Sequence, residues 1–580
     1  MELLKDFTKT NKKLLMLSIL FITLNTLTML IIPFLVSHMI NDGILQKNMQ
    51  VVNSISLQMV AILILGTVAG LIGSYLSASF ASKFAQSNRK KMVRNIEKIT
   101  LDQVDQFGIA SLVTRVTNDN ANAQQVILTF LQMILPSPIM AIISIFLTAQ
   151  IYPLLALVPL FAITIFVITT WFTLNKSLPY IQNIQRKMDK MTLVLREFFV
   201  GVRIIRAFDN SKREKKRTDD SFEDYAKNNI KINQNFAILT PVAFCLMNLA
   251  IILIVWFGSM LVAGNTLQIG SITALIEFTI TTIATLIMSA LVLFQLPKGI
   301  ASINRINDII KVESEIKDQE NLLSESDQSK ITPIQKLEYQ NINFRYKGAE
   351  KRILDTINFS VKAGETLAIV GGTGSGKSSI IKILLRLNNI ESGEIKINGT
   401  SIHELSLASL RNSISYVPQK AFLFSGTIKE NFQFANPAIT QEEMEAVAET
   451  AQALDFIQSL EKKFDAPVSQ GGMNFSGGQK QRLSIARALS KEAGIYIFDD
   501  SFSALDYATD AKLRKALDSY LYDRIIIIVA QRLSTIASAD KIIVLDDGKI
   551  VGTGNHETLL RENKHYQDLA RTQGLLKEDS

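Results

Sequence analysis

Over the first half of the chain, apolar residues come in long blocks rather than in alternation with polar ones. Residues 14–40 read LLMLSILFITLNTLTMLIIPFLVSHMI, with no carboxylate, lysine or arginine. Further apolar runs lie near 56–80, 126–150, 151–174, 236–263 and 270–296. Each reaches the ~20 residues a helix needs to cross ~30 Å of hydrocarbon. Six such runs in the first 300 residues predict six membrane spans rather than buried soluble helices. The first is too long for a cleaved signal peptide, and five more follow it.

The apolar text stops near Leu296. Residues 311–332 are mostly polar and charged, and read as a helix end running into a linker. From Pro333, short β-like runs alternate with helical ones, as in an α/β domain. Leu367–Val370, Ile495–Phe498, Ile525–Val529 and Lys541–Leu545 are predicted strands, the last turning at Asp546–Asp547–Gly548. Lys377–Leu385 is a predicted helix. The expected organisation is a membrane domain with two long loops over 1–310, a linker over 311–332, and an α/β domain over 333–580.

Charge gives the spans a direction. The stretch 81–127 carries Lys83, Arg89, Lys90, Lys91, Arg94, Lys98 and Arg115, and 175–235 carries fourteen Lys and Arg. The loops on the other side carry only Lys47. By the positive-inside rule, both long loops and both termini are expected in the cytoplasm. The net charge of +8 is largely this asymmetry and gives no support for a nucleic-acid partner. The single cysteine, Cys245, lies in the fifth span and is expected to be a small packing residue.

The chemistry sits in the second half. Residues 371–378 read GGTGSGKS, a strand–GxxxxGK[ST]–helix phosphate loop. Gly371, Gly372, Thr373, Gly374, Ser375 and Gly376 are expected to bring backbone amides onto phosphate oxygens, with Ser379 in the first turn of a helix whose positive end faces them. Lys377 would pair with the β- and γ-phosphates, and Ser378 would ligate Mg²⁺. Asp499 ends the apolar run GIYIFD, the usual place for a second Mg²⁺ carboxylate. SGG at 476–478 opens the amphipathic stretch QKQRLSIARAL, a backbone-donor nest at a helix start.

The stretch NFSGGQKQR at 474–482, in its spacing from the phosphate loop, strongly resembles the signature of ATP-binding cassette (ABC) transporters. The resemblance covers the whole chain: six spans, two long loops, then one cassette. It implies a six-helix α transmembrane domain of exporter type joined to an α/β P-loop cassette that uses ATP and Mg²⁺. It implies that Tyr346, in NFRYKG, stacks on adenine. It implies that Gln419, in YVPQ, senses Mg²⁺ and contacts the membrane domain. Ser476, Gly477, Gly478 and Gln479 would bind the γ-phosphate of ATP held by an opposite cassette, and Asp506, in SALD, would cross the cassette interface. FGIASLVTRVTND and EFFVGVRIIRAFDNSKREKKR resemble the two regions that couple cassettes to membrane helices.

Two positions depart from the family pattern. Asp500 stands where the family carries a catalytic Glu, and Gln531, in VAQR, where it carries a His. A carboxylate one methylene short misses by about a bond length, and misplacement on a ~1 Å scale can cost roughly a hundredfold. The four histidines, His38, His403, His556 and His565, all lie away from 531 in sequence. Both departures fall in one ATP site, while the signature is intact. The pattern resembles the degenerate-site subunit of bacterial heterodimeric multidrug exporters, and Gln470, where many homodimers carry a Glu, fits an asymmetric pair. The expected partners are a second half-transporter, the lipid bilayer and an amphipathic small molecule. The expected location is a bacterial plasma membrane, with the cassette cytoplasmic. Alternatives are a lipid or glycolipid flippase, or an ATP-gated channel or regulatory subunit, although the spans lack the repeated charges of a pore. Glu277 is the only Asp, Glu, Lys or Arg well inside the spans and is the candidate substrate residue.

Overall fold

The computed structural model describes residues 2–316 and 332–575. Most of the expected linker, residues 317–331, lies outside the described residues. The chain divides into two units, Met1–Glu97 with Val104–Val312, and Lys98–Gln103 with Glu313–Ser580.

The first unit contains six helical segments long and apolar enough to span a membrane: Lys12–Ile44, Met49–Ile96, Ile109–Ile151, Leu157–Ala207, Ser211–Ala263 and Ile269–Val292. Several run well beyond the apolar text. Met49–Ile96 is one helix of 48 residues and Leu157–Ala207 one of 51. At 1.5 Å per residue each is ~70 Å or longer, more than twice the hydrocarbon thickness. Their polar ends are rich in Lys, Arg, Gln and Asn and hold no glycine before Gly201, so helix propensity favours continuation where hydropathy fails, although Leu157–Ala207 also accommodates Pro179. Asn48 starts the second segment, its side chain accepting from the backbone N–H of Gln50 and Val51 at 3.1 and 3.3 Å.

The third segment is tied to the helix Leu296–Lys311 by an ion pair whose carboxylate is buried and whose guanidinium is exposed. Asp119 accepts from Arg305 Nε at 2.7 Å and Nη2 at 2.5 Å, and from Ser302 Oγ at 2.9 Å. The bidentate fork satisfies a carboxylate that is only 4% exposed. On Leu239–Ala263 the buried stripe is Leu239, Ala243, Ala250, Ile254 and Gly258. Cys245 falls off that stripe and is exposed, so the packing role expected from its residue type does not hold. The helical phase, which composition does not contain, turns it outward.

The second unit holds twelve described strands. β1 (Lys336–Phe344), β2 (Leu354–Lys362), β4 (Ser392–Ile397) and β5 (Thr400–Ser401) form an antiparallel sheet in the order β2-β1-β4-β5. β3 (Thr366–Gly371), β6 (Ile414–Val417), β9 (Ile495–Asp499), β10 (Ile525–Val529), β11 (Lys541–Asp546) and β12 (Lys549–Gly554) form a second, in the order β12-β11-β3-β10-β9-β6. Its neighbours from β11 to β6 are parallel, and β12 is antiparallel. β7 (Gly426–Thr427) and β8 (Pro467–Val468) make a small separate pair. Every residue of β9 and β10 is buried, as continuous apolar runs in a sheet covered on both faces must be. The parallel strands β3, β9 and β10 all end on one edge, and the phosphate-binding motifs follow from them.

Candidate ATP site

The phosphate loop leaves β3 at Gly371 and enters the helix Lys377–Leu384. Gly376 has φ +103, and a Cβ there would meet Leu354 Cδ2 at 2.7 Å and Ile353 O at 2.9 Å. Both the backbone region and the space admit only glycine. Lys377 folds back on the loop, donating to Gly371 O at 2.8 Å and Gly372 O at 2.7 Å. Burial pushes its ammonium pKa down, while Asp500 and Asp499 hold it up. An arriving phosphate would replace these two carbonyls as its partner.

At the end of β9 the two acidic positions diverge. Asp499 is 4% exposed; its Oδ1 accepts from Ser378 Oγ and its Oδ2 from Tyr416 hydroxyl, both at 3.4 Å. Burial raises its pKa, and the two hydroxyls lower it. The donor set fits Mg²⁺: a hydroxyl and a carboxylate are hard oxygen ligands, leaving places for phosphate oxygens and water. Ser378 and Asp499 would hold the ion, with Gln419 close by; when bound, it would neutralise charge on the transferred phosphate. Among the described residues no cluster of three or more His, Cys, Asp or Glu offers a separate metal site.

Asp500 turns the other way. Its φ is +47, its N–H donates to Val529 O at 2.8 Å, and its Oδ2 accepts from Gln419 Nε2 at 3.1 Å. Burial pushes its carboxyl up, opposed by Gln419, Lys377, Arg532 and the Gln531 N–H. Strand pairing brings Gln419 and Asp500 together: β6 runs beside β9 with Val417 opposite Phe498. Gln531 follows β10 with its side chain exposed, and Arg532 lies 5.7 Å over the Tyr507 ring.

Tyr346 is half-buried beyond β1. Its hydroxyl is 3.2 Å from Ser379 Oγ and accepts from Lys382 Nζ at 3.3 Å. The adenine-stacking candidate therefore stands on the helix that follows the phosphate loop. Thr373, Gly374 and Ser375 complete the loop; Ser375 is buried, whereas Gly374, with φ +83, has open space where a Cβ would go.

The signature segment is built separately. Ser476 caps the helix Gly477–Leu489, its Oγ accepting from Gln479 N–H at 3.3 Å while Gln479 Oε1 accepts from Ser476 N–H at 2.9 Å. These bonds run within the segment and not to the phosphate loop. Ser476 and Gly477 are exposed, and a Cβ on Gly477 would meet nothing within 4 Å. Gly478 lies close to Ala504 O, at 3.3 Å from its would-be Cβ, so the segment packs against the turn before Asp506. Asp506 caps the helix Tyr507–Tyr520, accepting from Thr509 N–H at 2.9 Å and Thr509 Oγ1 at 2.8 Å. Those bonds hold its pKa below the usual carboxylate range. Gln470 is exposed at the start of a single turn, Gln470–Gly472, whose last residue is buried.

Tyr416 is the site residue that motif reading missed. Its signal was a phenol on the strand that leads into Gln419; only the β6–β9 pairing shows that it reaches Asp499.

In the first unit, Glu277 is exposed on Ile269–Val292, a helix whose buried face is Gly270, Ala274, Leu275, Phe278, Thr279, Thr282, Ile283 and Leu286. It shares the opposite stripe with Ala284 and Met288, about 12 Å from the helix start. Among the described residues it has no ion-pair or hydrogen-bond partner.

A spanning region continuous with an ATP-binding α/β domain defines an ABC transporter by architecture, and comparisons agree. Residues 15–286 match the family model for the ABC transporter transmembrane region, and 354–503 that for the ABC transporter cassette. The uncharacterised ABC transporter ATP-binding protein YfiB of Bacillus subtilis (strain 168) is 32% identical over 541 residues, 93% of each chain. An ATP-dependent lipid A-core flippase of Haemophilus influenzae (strain 86-028NP) is 30% identical over 546 residues, 92% of this chain and 90% of that one. A bacterial Atm1-family ABC exporter solved with ATP bound superposes with a TM-score of 0.80 at 24% identity, covering 98% and 99% of the two chains. The chain belongs to the ABC transporter family. It is a multi-pass membrane protein of exporter fold, a half-transporter with one membrane region and one ATP-binding domain.

Proposed function

We propose that the protein is one subunit of an asymmetric exporter that moves amphipathic or hydrophobic compounds across the membrane by alternating access. One observation carries the asymmetry: an Asp at 500 and a Gln at 531 in one site, beside a signature helix with its Ser476 cap intact. The chain holds ATP through Tyr346, Lys377, Ser378 and Asp499 with Mg²⁺, but has a shortened base and no imidazole to turn it over. Ser476, Gly477, Gly478 and Gln479 serve ATP bound on the partner's phosphate loop. The cassette and both basic loops lie in the cytoplasm of a bacterial cell, as the Lys and Arg distribution supports. Purified alone, the chain is expected to hydrolyse ATP at about a hundredth of the rate it reaches with its partner. Phosphate release measured with and without the second half-transporter checks this, and a fast homodimeric ATPase would sink the asymmetric reading.

Glu277 supplies the substrate preference. A carboxylate within a span costs at least ~2.5 kcal/mol on insertion scales unless water, a hydrogen bond or a cation compensates it. Among the described residues it has no hydrogen-bond or ion-pair partner, which supports a cavity-facing role with a transported cation as its counter-charge. Glu277→Gln is expected to slow initial efflux of a cationic dye about tenfold while a matched neutral dye changes less than about twofold. Equal slowing of both would return Glu277 to a structural role. A second reading, lipid or glycolipid flipping, draws on the Haemophilus influenzae relative. It predicts that a fluorescent lipid competes with the cationic dye for transport.

A further inference from the structure

The helix Lys564–Thr572 is anchored in the core of the second unit. Tyr566 and Ala570 are fully buried, and the Tyr566 hydroxyl is 2.7 Å from His556 Nδ1. Asn563 caps the helix start, accepting from Tyr566 N–H at 2.9 Å. The helix end is closed as firmly: Gly574 takes φ +70, and Leu575 N–H returns to Ala570 O at 2.9 Å. Gln573 therefore leaves a fixed backbone.

Its carboxamide does not serve its own helix. Nε2 donates to Gln531 O at 2.7 Å, and Oε1 accepts from Leu533 N–H at 2.8 Å. One amide thus pairs with the carbonyl of one residue and the N–H two residues later, as a neighbouring strand would. The segment so held follows directly from β10, where Ala530 N–H donates to Ile369 O at 3.3 Å. Gln531–Leu533 is suspended between the sheet and the Gln573 amide. It stands beside Asp500, whose own N–H is fixed to Val529 O at 2.8 Å.

We propose that Gln573 is a positioning residue of the ATP site: it clamps the backbone of the switch segment at Gln531 and Leu533, and so sets where Gln531 stands over nucleotide on this chain's phosphate loop. This rests on reading Gln531 as the switch position. The clamp fixes main chain, not side chain, so it works with a glutamine at 531 as well as with any other residue. It also joins the helix Lys564–Thr572 to the nucleotide, so that movement of that helix changes nucleotide retention.

A nearby residue supplies the control. Gln567, on the same helix, also donates to two backbone carbonyls, Leu560 O at 2.9 Å and Arg561 O at 3.2 Å, but neither belongs to the switch. The test uses the full-length chain in its assembled membrane complex and 8-azido-ATP with Mg²⁺ as the probe, reading label on this chain alone. Half-saturation on ice reports the phosphate loop and Tyr346; label retained through washing at working temperature reports the closed switch. Gln573→Leu is expected to cut retention about tenfold with half-saturation moved less than about twofold. Gln573→Glu, which matches in size, keeps the acceptor for Leu533 N–H but sets a carboxylate against Gln531 O; it gives the same loss and carries the test if the leucine variant does not accumulate. Gln567→Leu is expected to leave both readouts unchanged. An equal loss for Gln567→Leu would make the effect one of helix stability and overturn the proposal. Gln531→Ala separates the two levels. If it lowers retention and both Gln573 variants do not, Gln573 has no positioning role. If Gln531→Ala is silent as well, the switch reading itself fails and the proposal with it.

Discussion

Gly477→Asp is expected to lower ATP turnover of the assembled transporter about a hundredfold or more, while Asp500→Asn lowers it less than about threefold. The first half rests on geometry. A Cβ at Gly477 meets nothing within 4 Å, and the residue is the first of the helix Gly477–Leu489. A carboxylate there suits the helix dipole and leaves the fold intact. It also puts negative charge where the signature would receive the γ-phosphate of the partner's ATP. Ser476→Ala is less clean, because losing a cap costs ~0.5–2 kcal/mol of stability by itself. The second half follows from the proposed asymmetry: if the Asp500 carboxylate falls short of the attacking water, removing it removes little. Phosphate release from the purified complex measures both. Comparable losses for the two variants would contradict the division of labour between the sites.

Rebuilding the site is expected to produce the opposite effect. Asp500→Glu with Gln531→His should raise ATP hydrolysis by this chain alone by roughly ten- to a hundredfold, the scale at which a positioned base acts. The extra methylene extends the carboxylate by about a bond length, the scale on which misplacement matters. Gln531 is exposed, so an imidazole fits without repacking. Gln419 now donates to Asp500 at 3.1 Å and would have to move with the longer chain, so Asp500→Glu alone should give the smaller part of the gain. Steady-state phosphate release from the single and double variants checks it. A double variant no faster than the natural chain would contradict an impaired site at these two positions.

The parts of this architecture that depend on local composition were legible before any coordinates. All six spans were, because six apolar runs each long enough to cross a bilayer are too many for buried helices of one soluble core. So were β9 and β10, because strands covered on both faces read as continuous apolar runs. What composition does not carry is phase and pairing. Cys245 was read from its residue type as a small packing residue, and the helical phase turned it off the buried stripe. The helices after Phe80 and Leu174 were invisible to hydropathy, since their continuation depends on helix propensity in polar text. Of the candidate site, the phosphate loop and Asp499 could be read as local strand–loop and strand-end patterns. Tyr416 on Asp499 and Gln573 on the switch could not, because each contact joins residues far apart in the chain: 83 residues for the first and 42 and 40 for the two bonds of the second.

The length of Met49–Ile96 and of Leu157–Ala207, the latter with Pro179 near its middle, has a mechanical consequence. A helix of 48 or 51 residues is a lever of ~70 Å or longer, and a 10° tilt about one end sweeps the other through roughly 12 Å. A small tilt at one end of such an arm becomes a displacement the width of a small molecule at the other, provided the arm stays stiff. A flexible joint inserted midway would disengage that gearing while leaving both ends chemically intact.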